Sequence, residues 1–192
     1  MEKSSSIEHP VLELIKKRRS IRAFSNEPIA ADKICSLFEA TRWAPSSSNE
    51  QPWVYIYATQ EQPELWNKMF ECLNEGNKIW VKDAPLLILS LARKEFTTYG
   101  SANAHAMYDL GGANSFLSLQ AVEMGLQVRQ MAGFNHLKAV ESFNIPNLYD
   151  VGVFIAVGYP GDPDNLPEKL KQRELAPRER FLQQEFVMNK PF

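Results

Sequence analysis

The chain has 192 residues, and 21 Lys and Arg against 23 Asp and Glu give a formal net charge of -2. This balance argues against a dedicated nucleic-acid-binding protein, which needs a basic excess to contact phosphates. Hydrophobic residues make up 44% and charged residues 23% of the sequence, which excludes general disorder and favours a single folded domain over residues 1–192.

Nothing in the sequence indicates a membrane protein or a secreted one. No apolar stretch approaches the roughly 18 residues that span a bilayer, and the first ten residues lack the apolar core of a secretion signal. Cys35 and Cys72 form neither a disulfide framework nor a C-x-x-C pair. His9, His105 and His136 are dispersed and match no metal-ligand spacing, so we assign no metal. We expect a reduced, cytoplasmic protein.

Apolar spacing predicts the elements of the first half of the chain. A helix over residues 10–19 begins at a proline and ends in four basic residues, and a second helix covers residues 31–43. Pro45 and the polar run that follows it predict a loop. The aromatic and β-branched residues 53–58 predict a strand, and residues 63–81 predict one long helix.

The second half continues the alternation of strands and helices. Strands are predicted at 86–91, 127–131 and 151–157, and helices at 110–124, ending at Gly125, and at 137–143. The Pro-rich and charged tail from residue 158 is predicted to be extended. This order favours helices packed around one sheet. A Rossmann dinucleotide site is not expected, because no G-x-G-x-x-G follows a strand.

Arg18-Arg19-Ser20-Ile21-Arg22 places three guanidinium groups and a hydroxyl within five residues. Such a group can bind an anion through paired hydrogen bonds, or face a ring carbonyl that gains negative charge. A solvated basic helix end is the alternative.

Three further segments are candidates for ligand binding. The first is the polar loop of residues 44–53, whose hydroxyl and carboxamide groups can bond a heterocycle edge, or which merely connects two elements. In residues 130–134 a glycine after a short strand permits close backbone approach to a ligand, although most such glycines only turn the chain. Arg178-Glu179-Arg180 is either a phosphate clamp or a solvated charge run.

In combination these segments resemble the FMN-dependent nitroreductase superfamily over nearly the whole chain. The resemblance rests on the order R-R-S-I-R-A-F, A-P-S-S-S-N-E-Q-P-W, a helix with Asn77, D-A-P before a strand, M-A-G-F, V-G-Y-P and a terminal R-E-R. It implies an α+β fold, a three-layer α/β/α sandwich around a mixed, mostly antiparallel sheet. It also implies a homodimer with two FMN sites at the subunit interface.

The resemblance also implies which residues bind FMN. The first motif would reach the ribityl phosphate and the pyrimidine edge, the polar loop would cover the flavin ring of the partner subunit, and the tail arginines would bind the phosphate. Asn77 would lie near the pyrimidine edge, and the backbone after the short strand would face the central ring. The cofactor-binding residues implied in this way are Arg18, Arg19, Ser20, Arg22, Pro45, Ser46, Ser47, Asn49, Gln51, Asn77, Ala132, Gly133, Arg178 and Arg180.

The activity implied is reduction of a nitroaromatic, quinone or similar acceptor by NAD(P)H in a ping-pong mechanism. No catalytic acid, base or nucleophile is required, because the flavin carries the redox chemistry. Two alternatives stay open: a narrow-specificity flavin reductase (a dehalogenase or an enone reductase), and a flavin store or sensor without turnover. Trp66, Met69, Phe70 and Trp80 either shape a specific pocket or belong to the core.

Overall fold

The computed structural model describes residues 2–191, and a four-stranded sheet forms its centre. The strands in this part of the chain are β1 (Lys3–Ser4), β2 (Trp53–Thr59), β3 (Leu86–Arg93), β4 (Gln127–Met131), β5 (Tyr149–Gly158) and β6 (Arg180–Phe181). The central sheet has the order β2-β3-β5-β4, and each of its pairings is antiparallel. The four strands predicted from the sequence are confirmed, with ends that differ by at most two residues. β2 and β4 are the two edges of the sheet.

Helices cover both faces of this sheet. They are α1 (Glu13–Lys17), α2 (Ala31–Arg42), α3 (Pro63–Cys72), α4 (Glu75–Val81), α5 (Ala106–Glu123), α6 (His136–Ser142) and α7 (Glu168–Leu175). On β3, Leu86 and Ile88 pack in one apolar cluster with α2 and α5, whereas Leu87 and Leu89 pack in a second cluster with α3, α4 and α6. Successive side chains of this buried strand point to opposite faces of the sheet, so helices pack on both faces. The fold therefore has the three layers that were expected.

The long helix predicted for residues 63–81 is wrong, because it is two helices. Leu73 and Asn74 between them are extended, with ψ near 150°. Leu73 forms a β-bridge with Phe134, and the Asn74 N–H donates to the Gly133 carbonyl at 3.1 Å. No proline or glycine marks this break, so a tertiary contact overrides helix propensity here.

The first helix is also shorter than predicted. α1 ends at Lys17, since Arg18 is already extended (φ -59°, ψ 125°). The segment after α1 runs alongside the sheet because two contacts hold it there. The Arg19 N–H donates to Gln127 Oε1 at 2.9 Å, and Phe24 forms a β-bridge with Pro160. The basic residues that were expected to close the helix therefore lie partly beyond it.

The tail contains a helix that the sequence prediction missed. α7 begins after Pro167 in what was predicted to be extended chain. Leu170 of this helix packs against the cluster under α3 and α4, and Leu166 before it is buried. β6 then pairs with β1, so the two ends of the described chain meet. No helix within residues 2–191 has the length and apolarity to cross a membrane.

Candidate cofactor site

A pocket of about 220 Å³ lies between the segment after α1, the start of β4 and the tail. Seven arginines line it, with Glu174 as the one carboxylate among the lining residues. We call these residues the arginine cluster: Arg18, Arg19, Arg22, Arg129, Arg173, Arg178 and Arg180. The structure therefore brings together the first motif and the tail arginines, which are far apart in sequence.

Arginine side chains hold the tail against the first motif. Arg19 Nη2 donates to the carbonyls of Glu174 (2.8 Å) and Ala176 (3.3 Å). Arg178 donates from both terminal nitrogens, to the carbonyls of Arg18 and Lys16, and thereby caps the carboxyl end of α1. Arg180 is exposed and donates only to the carbonyl of its neighbour Glu179. Arg18 and Arg180 thus keep donors available for a ligand.

Glu174 compensates the charge of one arginine in particular. Its Oε2 lies 3.5 Å from Arg22 Nη1, and its Oε1 accepts the backbone N–H groups of Arg22 (2.8 Å) and Ala23 (3.3 Å). The carboxylate side chain is 8% exposed, and the Arg22 side chain is 16% exposed. This is a shielded ion pair whose carboxylate also fixes the backbone of the first motif.

The remaining charge of the cluster is unfavourable in the absence of an anion. Burial, with Arg178 and Arg180 nearby, lowers the pKa of Arg18, and burial with Arg19 and Arg180 lowers the pKa of Arg178. Burial, together with the charge of Arg22, lowers the pKa of Arg129 to about 10. A bound anion would relieve this mutual repulsion, so the pocket is suited to a phosphate group.

A second group of predicted residues meets where β4 ends. The Asn77 side chain donates from Nδ2 to the Gly133 carbonyl at 2.9 Å. A Cβ atom at position 133 would lie 2.9 Å from that nitrogen, so a larger residue there would force the Asn77 amide to shift. The Gly133 N–H has no acceptor within residues 2–191. The neighbouring Ala132 is exposed.

The edge strand β4 connects the two groups. Arg129 lies four residues before Gly133, which corresponds to about 13 Å of extended chain. Trp80, one helical turn after Asn77, lies under the Arg129 guanidinium with 5.4 Å between the guanidinium carbon and the ring centroid. Arginine donors and a backbone N–H without an acceptor thus lie along one stretch of chain, β4 and the two residues that follow it.

The polar loop has an unusual backbone conformation, which hydrogen bonds hold in place. Ser48, Asn49 and Gln51 have positive φ values of 51–55°, although none is glycine. The Ser47 N–H donates to the buried carboxylate of Asp109 on α5 at 3.0 Å, and the Gln51 N–H donates to Ser46 Oγ at 2.9 Å. Such conformations cost energy and are concentrated at functional sites. With Pro45 at its start, this is the serine loop (residues 45–51).

Within one chain the serine loop does not meet the arginine cluster. The loop leads into Trp53, whose neighbours across the sheet are Ala92 and then Asp150, whereas the cluster lies near Gln127 at the opposite end. Val157 and Asp150, which mark the two ends on β5, are separated by about seven steps of 3.3 Å, or roughly 23 Å. The loop and the cluster also lie on opposite edges of the sheet.

The four apolar residues whose role was left open belong to the core. Trp66, Met69 and Trp80 are buried, and the partly buried Phe70 stacks on Trp66 with 5.2 Å between the ring centroids. Sequence reasoning missed Arg129, Arg173 and Glu174 in the pocket. The one signal for Arg129 was a charged residue inside a predicted strand directly before M-A-G-F.

Comparisons with known proteins agree with this geometry. The model of the Nitroreductase family matches residues 15–159. A solved structure described as an oxidoreductase containing FMN is 31% identical, covers 100% of this chain and 98% of its own, and superposes with a TM-score of 0.92. A nitroreductase family protein from Clostridium novyi NT is 26% identical, with 81% of this chain and 87% of its own covered, at a TM-score of 0.68.

Curated relatives are more distant in sequence. A protein of Archaeoglobus fulgidus with the provisional name NADH dehydrogenase/NAD(P)H nitroreductase is 27% identical over 161 residues, with 82% of this chain and 89% of its own covered. Iodotyrosine deiodinase 1 of Sus scrofa is 26% identical over 184 residues; the match covers 81% of this chain and 63% of the deiodinase. The family match, the fold and the ordered motifs together establish that this chain belongs to the Nitroreductase family.

Proposed function

We propose that this protein is an FMN-dependent oxidoreductase that uses NAD(P)H to reduce nitroaromatic, quinone or similar acceptors. One observation carries the proposal. An arginine pocket lies beside the edge strand β4, and a backbone N–H without an acceptor follows the end of the same strand. The solved structure that is 31% identical is described as containing FMN, which supports the choice of cofactor.

The residues fit the phosphate of FMN. Arg18 and Arg180 have donors that are directed to no carboxylate in the described chain, and Ser20 adds a hydroxyl within 3.1 Å of Arg18 Nη1. A phosphate monoester carries nearly two negative charges at neutral pH, which matches a pocket with a large excess of arginine over carboxylate. Arg19 and Arg178 keep the tail in place so that the pocket is closed on one side.

The residues also fit the flavin ring. The N–H of Gly133 is a free donor for a ring nitrogen, and Asn77 holds the Gly133 carbonyl on the next peptide. Positioning and electrostatic field are the protein's contributions, while the cofactor when bound supplies hydride-transfer chemistry. No side chain of the described chain is proposed as a general acid or nucleophile.

NAD(P)H and the acceptor are proposed to use the same exposed face in turn, which gives ping-pong kinetics. The name of the Archaeoglobus relative includes NAD(P)H nitroreductase, which supports this pair of substrates.

A homodimer is proposed because one chain cannot complete the site. The serine loop and the arginine cluster lie at opposite corners of the sheet, so the loop can cover only a flavin that is bound by another copy. An apolar stripe on α5 supports a second copy of the chain as the partner: Tyr108 and Phe116 are 82% and 41% exposed, two helical turns apart. Leu12 beside α1 is 67% exposed, and α1 packs against α5. Covering such a face is the ordinary role of a homodimer interface.

Reductive dehalogenation is the second candidate activity. The similarity to iodotyrosine deiodinase 1 favours it over the other narrow-specificity alternatives. The two activities would share the cofactor and the NAD(P)H half-reaction, and differ only in the acceptor.

The proposal is tested with the purified protein reconstituted with FMN. In the absence of oxygen, NADH or NADPH should bleach the flavin absorption. A nitroaromatic or quinone should then restore it, at a rate comparable to that of the bleaching. Restoration by an iodinated phenol alone would favour the dehalogenase. Bound FMN that neither nicotinamide reduces would contradict the proposal and leave a store or sensor. A protein that takes up no FMN would contradict all three functions.

A further inference from the structure

Arg129 is a partly buried cation of the arginine cluster that forms no ion pair with a described carboxylate. Its Nη1 donates to the Ser20 carbonyl at 2.5 Å, and its guanidinium lies over the Trp80 ring. Among the described residues, no carboxylate oxygen lies within 4.0 Å of its guanidinium nitrogens. Because partial withdrawal of a charge from water is costly, a negative charge bound beside Arg129 would be stabilising.

The one carboxylate nearby is already engaged. Glu174 attracts Arg129 only at longer range, since its oxygens are directed to Arg22 and to two backbone N–H groups. Arg22 is therefore the compensated member of this pair of arginines, and Arg129 is the uncompensated one.

Contacts divide the cluster into two groups. Arg19 and Arg178 tie the tail, which carries Arg180, to the segment around Arg18, whereas Arg129 lies over Trp80 beside the Arg22–Glu174 ion pair. The first group contains the exposed tail and suits the phosphate. Arg129 of the second group lies on β4 and over Trp80, on the side that leads to Asn77 and Gly133.

We propose that Arg129 faces the flavin ring rather than the phosphate and stabilises the negative charge that the ring gains on reduction. This inference rests on the proposed binding of FMN. A fixed cation beside the ring binds the anionic reduced flavin more tightly than the neutral oxidised flavin, and so raises the midpoint potential. A cation at the phosphate meets the same charge in both redox states and leaves the potential nearly unchanged.

The test compares the midpoint potential of bound FMN and the dissociation constants of FMN and riboflavin in Arg129→Gln, Arg129→Lys and Arg18→Gln. Lys169→Gln on the exposed face of α7 is the control for a change in net charge. In Arg129→Gln we expect affinity for the reduced flavin to fall about tenfold more than for the oxidised flavin, a potential lower by about 30 mV. Arg129→Lys should retain most of the potential.

Arg18→Gln should weaken FMN binding, spare riboflavin binding and leave the potential unchanged. If Arg129→Gln behaves in this way instead, Arg129 belongs to the phosphate and the inference is wrong. An unchanged potential in Arg129→Gln with both affinities intact also overturns it. If the parent protein binds neither FMN nor riboflavin, it is the proposed function that fails. Should Arg129→Gln not fold, a parental potential in an Arg129→Met protein would overturn the inference, and a lowered potential there would support it.

Discussion

Asn77 holds the carbonyl of Gly133 through a hydrogen bond of 2.9 Å, across the gap between α4 and the end of β4. The contact exists because the chain breaks its helix at Leu73 and Asn74, which turns α4 toward this strand. Two residues that are 56 positions apart thus fix the peptide plane between Gly133 and Phe134, and the Gly133 N–H on the preceding peptide has no acceptor within residues 2–191.

Gly133→Ala should disturb this peptide and weaken flavin binding. The new Cβ would lie 2.9 Å from Asn77 Nδ2, so the amide must move and the hydrogen bond is lost. We expect FMN and riboflavin affinity to fall by similar factors, with a loss of stability of about 1 kcal/mol. Equilibrium unfolding and fluorescence titration measure the two effects.

Gly76→Ala is the matched control, because nothing lies within 4 Å of a Cβ at that position in α4. It should leave flavin binding unchanged and stabilise the helix by about 0.5–1 kcal/mol. The additional change Asn77→Ala should remove most of the stability cost of Gly133→Ala. Additive costs in this double-mutant cycle would show that the two residues are not coupled.

Arg18→Ala should reduce FMN affinity by about ten- to a hundredfold. The substitution removes a charge-assisted hydrogen bond worth roughly 1.5–3 kcal/mol. Riboflavin lacks the phosphate, so its affinity should be low and nearly equal in both proteins. Isothermal titration with both ligands decides the point. Equal losses for FMN and riboflavin would place Arg18 at the ring.

The pH dependence of FMN binding should follow the phosphate. Its second ionisation has a pKa of about 6, and the arginines stay protonated throughout the acidic and neutral range. Binding to a cationic pocket favours the dianion, so FMN affinity should rise as the pH increases through about 6 and level off above it. Riboflavin should show no such rise. A parallel rise for both ligands would assign the effect to a protein group.

Ser90→Ala should destabilise the sheet without affecting the cofactor. Its buried hydroxyl donates to the Val153 carbonyl (2.9 Å) and accepts the Val153 N–H (3.0 Å) where the register of β3 and β5 shifts. Alanine leaves that N–H unsatisfied, at a cost of about 1–3 kcal/mol in the free energy of unfolding. Urea unfolding should show this loss, whereas Ser5→Ala at an exposed position near the start of the chain should change stability by less than about 0.5 kcal/mol.

Sequence patterns predicted the strands well, because strands depend on local spacing. Gly125 ends α5 with φ +79°, as predicted for a helix-ending glycine. The break at Leu73 and the early end of α1 could not be predicted, since contacts with Phe134 and Gln127 impose them. The position of Arg129 in the pocket could not be predicted for the same reason. Only the fold shows that the carboxylate nearest to it is bound to Arg22.

The proposed shared site makes a prediction about the assembly state. We expect a dimer in analytical ultracentrifugation at low micromolar concentration, since in this proposal each site takes its serine loop from a second copy. A monomer that still holds FMN would refute the shared site.

A mixed dimer tests most directly whether two chains build each cofactor site. One variant combines Arg18→Ala with Arg180→Ala and loses the phosphate pocket; the other, Ser47→Trp, fills the space under the serine loop. Each should bind FMN poorly as a homodimer. The two variants are co-expressed with different affinity tags and purified as a mixed dimer. One site of this dimer combines the altered arginine pocket of one chain with the altered serine loop of the other, and the second site is intact. We predict that the mixed dimer regains FMN, with one occupied site per dimer. A mixed dimer that binds no more FMN than either parent would contradict the account.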